Sequence, residues 1–352
     1  MTPLAALLIR RIAQTGPISL ADYMADCLMH PLHGYYTTGT PFGAAGDFIT
    51  APEVSQMFGE LLGLALAQAW LDQGAPPRFT LAELGPGRGT LMADVLRATR
   101  AVTGFHAAAQ VTLVETSSQL RTQQRQALAS HPALWLNSAQ DLPDAPLFLL
   151  ANEFFDALPI RQFRRHALGW CETMVGLADG QLCFGKSEPV DIAALRPRLT
   201  DTTVGDVVET CAPAAAIMAT IGARITQHGG MALIVDYGGW QSRGDTFQAL
   251  RGHAFADPLA APGRADLTAH VDFAALADAC APARSAYTTQ GAVLCALGIH
   301  ARAARLGQQL TGDAQTLHAA ATHRLTAPEE MGQLFKALAV FPPHAPVPAG
   351  FS

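Results

Sequence analysis

An acidic, glycine-rich segment lies where a strand-like apolar run gives way to a helical pattern. It reads Glu83-Leu-Gly-Pro-Gly-Arg-Gly89, between a predicted strand over 79–83 and a predicted helix over 90–100. Glycines permit a tight turn and let a ligand approach the backbone at the N-terminus of the following helix. The segment is therefore interpreted as a ligand-binding loop. Its predicted contact residues are Glu83, Gly85, Pro86, Gly87, Gly89 and Thr90.

A second acidic residue, Glu115, ends the next predicted strand, over 111–115. In nucleotide-binding α/β folds, a carboxylate at the end of the second strand accepts hydrogen bonds from ribose hydroxyls. We therefore expect Glu115 to bind the ribose of a nucleoside-containing cofactor.

The glycine spacing and the position of Glu83 bear on the kind of cofactor. A dinucleotide fingerprint has the form Gly-x-Gly-x-x-Gly and leaves room for a pyrophosphate. Here the glycines alternate strictly, and Glu83 stands two positions before the first of them. A carboxylate there would repel a diphosphate and would suit the cationic sulfonium and amino group of S-adenosyl-L-methionine. That cofactor is the prediction, with NAD binding and an ordinary strand-to-helix turn as alternatives.

Polar residues also follow the predicted strand over 147–151. They are Asn152, Glu153 and Asp156, at the edge of the sheet where open α/β folds bind ligands. We predict that they bind the acceptor of the reaction and assist catalysis. The alternative is that Glu153 and Asp156 cap the next helix or pair with Arg161.

A long glycine-rich stretch over 33–48 has too little periodicity for regular structure and is typical of a functional lid. Asp47 is predicted to act in catalysis there, and Thr50 to contact the cofactor. The segment Thr50-Ala-Pro-Glu53 has a capping residue, an early proline and a later glutamate. It predicts the start of one helix that runs to about Asp72, with Glu53 favoured as a helix-terminal carboxylate.

The N-terminus is predicted to be helical. Apolar residues at positions 4, 7, 8 and 12 predict an amphipathic helix, which we favour over a transit peptide. Ser19 and Asp22 predict the capped start of a second helix that ends before Pro31.

From residue 79 onward, apolar runs over 79–83, 111–115, 147–151 and 231–236 alternate with helical segments. This pattern is typical of a parallel sheet with crossover helices, so the predicted fold class is α/β. Residues 160–230 interrupt the pattern and are predicted to be an inserted α+β region that shapes a substrate or partner site.

The predicted organisation has four parts. A helical region covers 1–78, and the core covers 79–159 and 231–310. The insertion covers 160–230, and a C-terminal extension covers 311–352.

The composition disfavours several partners. A formal net charge of −6 and a sequence pI near 6.0 give no broad attraction to nucleic acid. No apolar stretch is long enough for membrane insertion. The six cysteines form no Cys-x-x-Cys pair, so neither a metal site nor a disulfide framework is predicted. A bacterial cytoplasm is the expected location, because the cysteines fit a reducing compartment and the basic residues are nearly all arginine.

Beyond these separate features, the sequence resembles the MidA-like methyltransferases over nearly its whole length. The matching segments are 18–24, 30–36, 46–60, 83–92, 152–159, 236–238, 262–273 and 289–291. The resemblance implies a Rossmann-like methyltransferase sheet with a helical N-terminal region and an inserted substrate region. That family includes a mitochondrial arginine methyltransferase that assists assembly of respiratory complex I.

The resemblance implies that the acceptor is a protein arginine, with a complex I subunit as the favoured candidate. Two other functions stay open at this stage. One is a non-enzymatic assembly factor that retains the cofactor fold, and the other is a small-molecule methyltransferase. A dinucleotide oxidoreductase is the weakest alternative, because of the alternating glycines.

Overall fold

The computed structural model describes residues 1–38, 50–129 and 131–351. Asp47, one of the predicted catalytic residues, lies outside them. The helices are α1 (Pro3–Thr15), α2 (Leu20–Met29), α3 (Tyr35–Thr38), α4 (Ala51–Val54), α5 (Gln56–Asp72), α6 (Thr90–Thr99), α7 (Phe105–Ala108), α8 (Ser118–Leu128), α9 (Ala212–His228), α10 (Phe273–Ala279), α11 (Gln290–Ala296), α12 (Ile299–Gly307) and α13 (Gly312–Thr326).

The strands alternate with these helices along the chain. They are β1 (Ile18–Ser19), β2 (Phe79–Leu84), β3 (Ala109–Val114), β4 (Ala133–Leu136), β5 (Leu147–Asn152), β6 (Arg161–His166), β7 (Gly169–Ala178), β8 (Gln181–Lys186), β9 (Val207–Thr210), β10 (Gly230–Gly239), β11 (Gln248–Arg251), β12 (Ala254–Ala256), β13 (Asp266–Thr268), β14 (Val271–Asp272), β15 (Arg284–Thr289) and β16 (Phe335–Phe341).

The chain forms two compact units. Of the described residues, unit 1 contains 1–38, 156–214 and 239–272, and unit 2 contains 50–129, 131–155, 215–238 and 273–351. Helices α1, α2 and α3 and most of residues 160–230 lie in unit 1, whereas α4, α5, most of α9 and the C-terminal segment lie in unit 2.

Unit 2 is built on a sheet with the strand order β15-β16-β10-β5-β2-β3-β4. Strands β10, β5, β2, β3 and β4 are parallel, and β16 runs antiparallel to both of its neighbours. The predicted parallel sheet is therefore confirmed. Its central strands are almost fully buried, which explains why β2 and β5 read as continuous apolar runs.

The order of the strands also locates the ligand-binding edge. From β2 the chain goes outward through β3 and β4, then returns to place β5 on the other side of β2. Ligands of open α/β sheets bind at such a reversal, beyond the carboxyl ends of the strands. Of the predicted site residues, Glu83 and Asn152 lie in the last positions of β2 and β5, and Glu115 directly follows β3, at that edge.

Helices α5 and α6 pack unusually closely within unit 2. A Cβ atom on Gly59 would lie 2.7 Å from the Cβ of Asp94, and one on Gly63 would lie 2.9 Å from the Cα of Val95.

The prediction of one helix from Thr50 to Asp72 was wrong. Ser55 is extended, with φ −159°, and its side chain accepts a hydrogen bond from Met57, so a new helix begins there.

Unit 1 combines elements distant in sequence. Strands β1, β7, β6 and β9 form one sheet, to which β8 is added beside β7. The first two helices bury Leu4, Leu8 and Tyr23 in the same cluster as Val175 of this sheet. The two predicted N-terminal helices are confirmed, including the cap at Ser19.

The glycine-rich stretch predicted to lack regular structure includes a short helix, α3, in its described part. Among the helices that the structure describes, none has the length and apolar character needed to cross a bilayer.

Candidate functional site

The glycine loop adopts a backbone that few other residues could follow. Gly85, Gly87 and Gly89 have φ values of +59°, +52° and +86°. This left-handed region is strained for residues that carry a Cβ atom. Gly89 also stands at the N-cap of α6, so the unpaired N–H groups of that helix begin directly after the loop.

Glu83 is the buried acidic residue beneath this loop, with only 3% of its surface exposed. Its carboxylate accepts a hydrogen bond from the backbone N–H of Met92, in the first turn of α6. The other oxygen, Oε2, has no hydrogen-bond partner among the described residues. Burial raises the pKa of Glu83 to about 8; the negative charges of Asp94 and Glu115 add to this, and the Met92 bond opposes it.

Glu115 follows β3 and is held by its neighbours. Its Oε1 accepts a 2.8 Å hydrogen bond from the N–H of Ser117, and its Oε2 accepts one of 3.3 Å from Nε2 of Gln124. The same Gln124 nitrogen donates to the carbonyl oxygen of Gly87 at 2.8 Å. One buried amide thus joins the predicted ribose carboxylate to the glycine loop.

Glu53 holds the other end of the loop. Its Oε1 accepts a 2.6 Å hydrogen bond from the hydroxyl of Thr90, and its Oε2 pairs with Arg88 at 3.3 Å. Glu53 lies in the first turn of α4, as predicted, but its side chain extends to the start of α6. The loop is therefore anchored on both sides by side chains from other elements.

The turn after β5 presents acidic and amide groups. Glu153 has φ +49°, which is rare for a residue with a side chain, and its N–H donates to the carbonyl of Val235 at 2.9 Å. Its Oε1 accepts hydrogen bonds from the N–H of Ala51 at 3.0 Å and from Nδ2 of Asn152 at 3.1 Å. The Oδ1 atom of Asn152 is buried and has no hydrogen-bond partner among the described residues.

Asp236, the residue of β10 just after its last pairing with β5, fixes this turn. It is fully buried, and its carboxylate accepts hydrogen bonds from the N–H groups of Phe154, Phe155 and Tyr237. The turn lies directly against the glycine loop, because a Cβ atom on Gly85 would lie 2.7 Å from Cδ2 of Phe154. The acidic turn and the loop therefore form one site at the edge of the sheet.

Comparison with known proteins agrees with this geometry. Residues 61–292 match the family described as "Putative S-adenosyl-L-methionine-dependent methyltransferase". The chain belongs to this methyltransferase family. Its cofactor is S-adenosyl-L-methionine, as the glycine spacing and Glu83 predicted.

Several relatives are similar over most of their length. Protein arginine methyltransferase NDUFAF7, mitochondrial, of Danio rerio is 36% identical, covering 95% of this chain and 85% of the relative. The human protein of that name is 37% identical over 78% of this chain and 68% of its own length. A COG1565 superfamily member from Burkholderia thailandensis, bound to S-adenosyl-homocysteine, has 31% identity and a TM-score of 0.83, covering 99% and 92% of the two chains.

The site of this methyltransferase suits its cofactor chemically. Glu83, Glu115 and Glu153 bring carboxylates to one edge, and Glu83 Oε2 and Asn152 Oδ1 are buried acceptors without partners among the described residues. Such a surplus of acceptors suits a ligand that carries a sulfonium, an ammonium and ribose hydroxyls. The backbone of the glycine loop, with Glu83 and Glu115, would hold it.

The structure also describes the surroundings of Asp156, Arg161 and Thr50. Asp156 belongs to unit 1, where it is 7% exposed and lies near Tyr36, and its role in binding the acceptor stays a prediction. Arg161, the alternative partner of the two acids, pairs with Glu172. Thr50 is the N-cap of α4, but its side chain makes no capping hydrogen bond.

The sequence did not predict a role for Gln124 in the site, nor the hydrogen bond between Glu53 and Thr90. Gln124 lies four residues from Leu120 and four from Leu128, the other buried residues of α8, and this helical spacing is the signal that could have found it. Asp236 lies at the end of the buried part of β10, a position that fits either a pocket residue or a turn residue. Its three backbone hydrogen bonds favour the turn.

Proposed function

We propose that this methyltransferase transfers a methyl group to an arginine side chain of a protein. The observation that carries the proposal is the contact between the turn of Asn152 and Glu153 and the glycine loop, through Phe154 and Gly85. This contact brings acceptors of hydrogen bonds beside the place where the cofactor would lie. The relatives named as protein arginine methyltransferases support the same assignment.

A guanidinium is a planar cation with N–H donors only, so a carboxylate and an amide oxygen suit it. Glu153 would orient the guanidinium and balance its charge. Asn152 Oδ1, which has no partner among the described residues, would accept a second N–H. The left-handed backbone of Glu153 and the three hydrogen bonds to Asp236 fix this turn before any substrate binds.

When bound, S-adenosyl-L-methionine supplies a methyl group that its sulfonium already activates. The work of the protein is therefore alignment and proton transfer. The new N–C bond would replace the S–C bond to the methyl group, with S-adenosyl-homocysteine as the leaving group. The guanidinium nitrogen would lose a proton, and Glu153 is the carboxylate placed to accept it.

Two finer assignments belong to the same proposal. A subunit of respiratory complex I is the favoured protein acceptor, following the family resemblance. A bacterial cytoplasm is the proposed location, and the six free thiols of the chain agree with a reducing compartment.

The test has two stages. Calorimetry first measures binding of S-adenosyl-homocysteine to the purified protein and to Gly85→Val, in which a side chain would meet Phe154. The protein is then incubated with methyl-deuterated S-adenosyl-L-methionine and a cell extract, and labelled residues are identified by mass spectrometry. Glu153→Gln is tested in parallel, because it removes the proposed acceptor-binding carboxylate and leaves the glycine loop unchanged.

Label on protein arginine, lost in Glu153→Gln while cofactor binding persists, is the expected result. Label on lysine or on a small molecule would remove the arginine assignment. Binding without any transfer would favour the non-enzymatic assembly factor.

A further inference from the structure

Gln124 is a polar residue of the site with no exposed surface. It lies on α8, and all three of its described hydrogen bonds are to other elements. Nε2 donates to the carbonyl of Gly87 and to Oε2 of Glu115, and Oε1 accepts a 2.8 Å bond from the indole N–H of Trp135 on β4.

This arrangement leaves the amide one orientation. Trp135 can only donate, so Gln124 must present its oxygen to the indole and its NH₂ group to Gly87 and Glu115. Rotation of the amide by half a turn would place the oxygen against two acceptors. The indole itself is held beneath the guanidinium of Arg125, 4.7 Å from the ring centre.

We propose that Gln124 is a positioning residue for cofactor specificity, because it fixes the Glu115 carboxylate for the ribose hydroxyls and couples it to the glycine loop. The inference rests on the proposed cofactor site. Ser117 and Gln124 each engage one oxygen of Glu115, which leaves lone pairs on both oxygens for a diol. Burial raises the pKa of Glu115, and the hydrogen bonds from Ser117 and Gln124 oppose that shift, so they favour the charged form.

Helix α8 also packs directly against the glycine loop at Gln124. A Cβ atom on Gly89 would lie 3.3 Å from the Cα of Gln124, so the helix backbone itself contacts the last glycine. A shift of Gln124 would therefore change the positions of both the Glu115 carboxylate and the glycine loop.

The experiment measures Kd by calorimetry for S-adenosyl-homocysteine and for its 2′,3′-dideoxy analogue. The ratio of the two values reports how much the ribose hydroxyls contribute. Hydrogen bonds to a charged group predict a ratio of at least about tenfold for the wild type. Gln124→Met keeps the side-chain length but removes the donors, and the expected ratio is about threefold or less.

Gln126→Met is the matched control, because Gln126 lies on the same helix with an exposed side chain. It should keep the wild-type ratio. Trp135→Phe removes only the anchor of the amide oxygen, and its expected ratio lies between those of the wild type and Gln124→Met. This second variant decides the matter if Gln124→Met does not fold.

A merely structural role would weaken both ligands by the same factor and leave the ratio unchanged. A wild-type ratio in Gln124→Met, or in Trp135→Phe where Gln124→Met is unfolded, overturns the inference. Failure of the wild type to bind S-adenosyl-homocysteine at all would instead overturn the proposed cofactor site, and the inference with it.

Discussion

Glu83 is a buried carboxyl group, and its burial should make the stability of the ligand-free protein depend on pH. Its pKa is raised from 4.5 to about 8, chiefly by burial. Below pH 4.5 the group is neutral in both the folded and the unfolded chain. Between pH 4.5 and 8 the unfolded chain loses the proton while the folded chain keeps it. The contribution of Glu83 to the free energy of unfolding therefore falls as pH rises above 4.5, and the loss is complete above the folded pKa.

Glu83→Gln is neutral at every pH and lacks this loss. The unfolding midpoint of the ligand-free variant should rise relative to the wild type between about pH 5 and about pH 9, levelling off above the folded pKa. Thermal unfolding followed by circular dichroism measures it, with the exposed Glu188→Gln as control. Parallel curves for Glu83→Gln and the wild type would show that the buried carboxyl does not titrate as described.

Glu53 anchors the loop through two different interactions, which substitutions can separate. Its bond from Thr90 is short and partly buried, whereas the paired Arg88 side chain is 47% exposed. Exposed ion pairs contribute little, so Glu53→Gln, which keeps an acceptor, should weaken binding of S-adenosyl-homocysteine less than about twofold. Glu53→Ala removes the acceptor and should weaken binding by roughly threefold to tenfold. Equal losses by calorimetry would contradict this assignment.

At the scale of elements, the contact between α5 and α6 depends on two glycines. Glycine in a helix interior is less stable than alanine by roughly 0.5–1 kcal/mol, so Gly→Ala in an uncrowded helix stabilises. At Gly59 and Gly63 the added methyl would meet α6 at 2.7 and 2.9 Å. Gly59→Ala and Gly63→Ala should therefore lower the free energy of unfolding, by about 1–3 kcal/mol each.

Urea unfolding measures the effect of these two variants. The exposed Gln68→Ala on α5 is the surface control, since it changes helix propensity and removes only one exposed hydrogen bond, to Asp72. A gain in stability for Gly63→Ala would mean that the two helices are further apart than the structure has them.

The same elements show which parts of the fold can be predicted from sequence patterns. Strands β2, β3, β5 and β10 were predictable because buried parallel strands leave continuous apolar runs. The break at Ser55 was not, because a helical pattern continues across it and only the extended backbone of that residue ends α4. The loop glycines were predictable from their spacing, but the hydrogen bonds of Gln124 were not, since they depend on the packing of α8 against Gly89.

At the scale of the whole chain, unit 2 joins segments far apart in sequence. Glu60 on α5 is 3% exposed and accepts hydrogen bonds from Arg97 on α6 and from Arg302 on α12. Arg302 lies 242 positions from its partner. No local pattern predicts such a pairing, because each residue alone resembles a solvated charge on a helix surface.

The C-terminal segment, predicted as an extension over 311–352, contributes an internal strand of the sheet. Strand β16 lies between β10 and β15 and pairs with both along its length. The apolar run Phe335-Lys-Ala-Leu-Ala-Val-Phe341 carried this signal, but the proline-rich residues after it favoured a tail. The order of strands, rather than the local pattern, makes this segment indispensable to unit 2.

Two leucines of that segment give a direct test. Leu338 is fully buried in β16 beside Ile234 and Tyr287, whereas Leu317 on α13 is 70% exposed. Leu338→Asp would bury an unpaired carboxylate at a cost of about 3–5 kcal/mol, so unit 2 should unfold and lose binding of S-adenosyl-homocysteine. Leu317→Asp should retain both the circular dichroism spectrum and the Kd of the wild type. If both variants bound the ligand equally well, β16 would have to be dispensable, and the sheet could not have the order described.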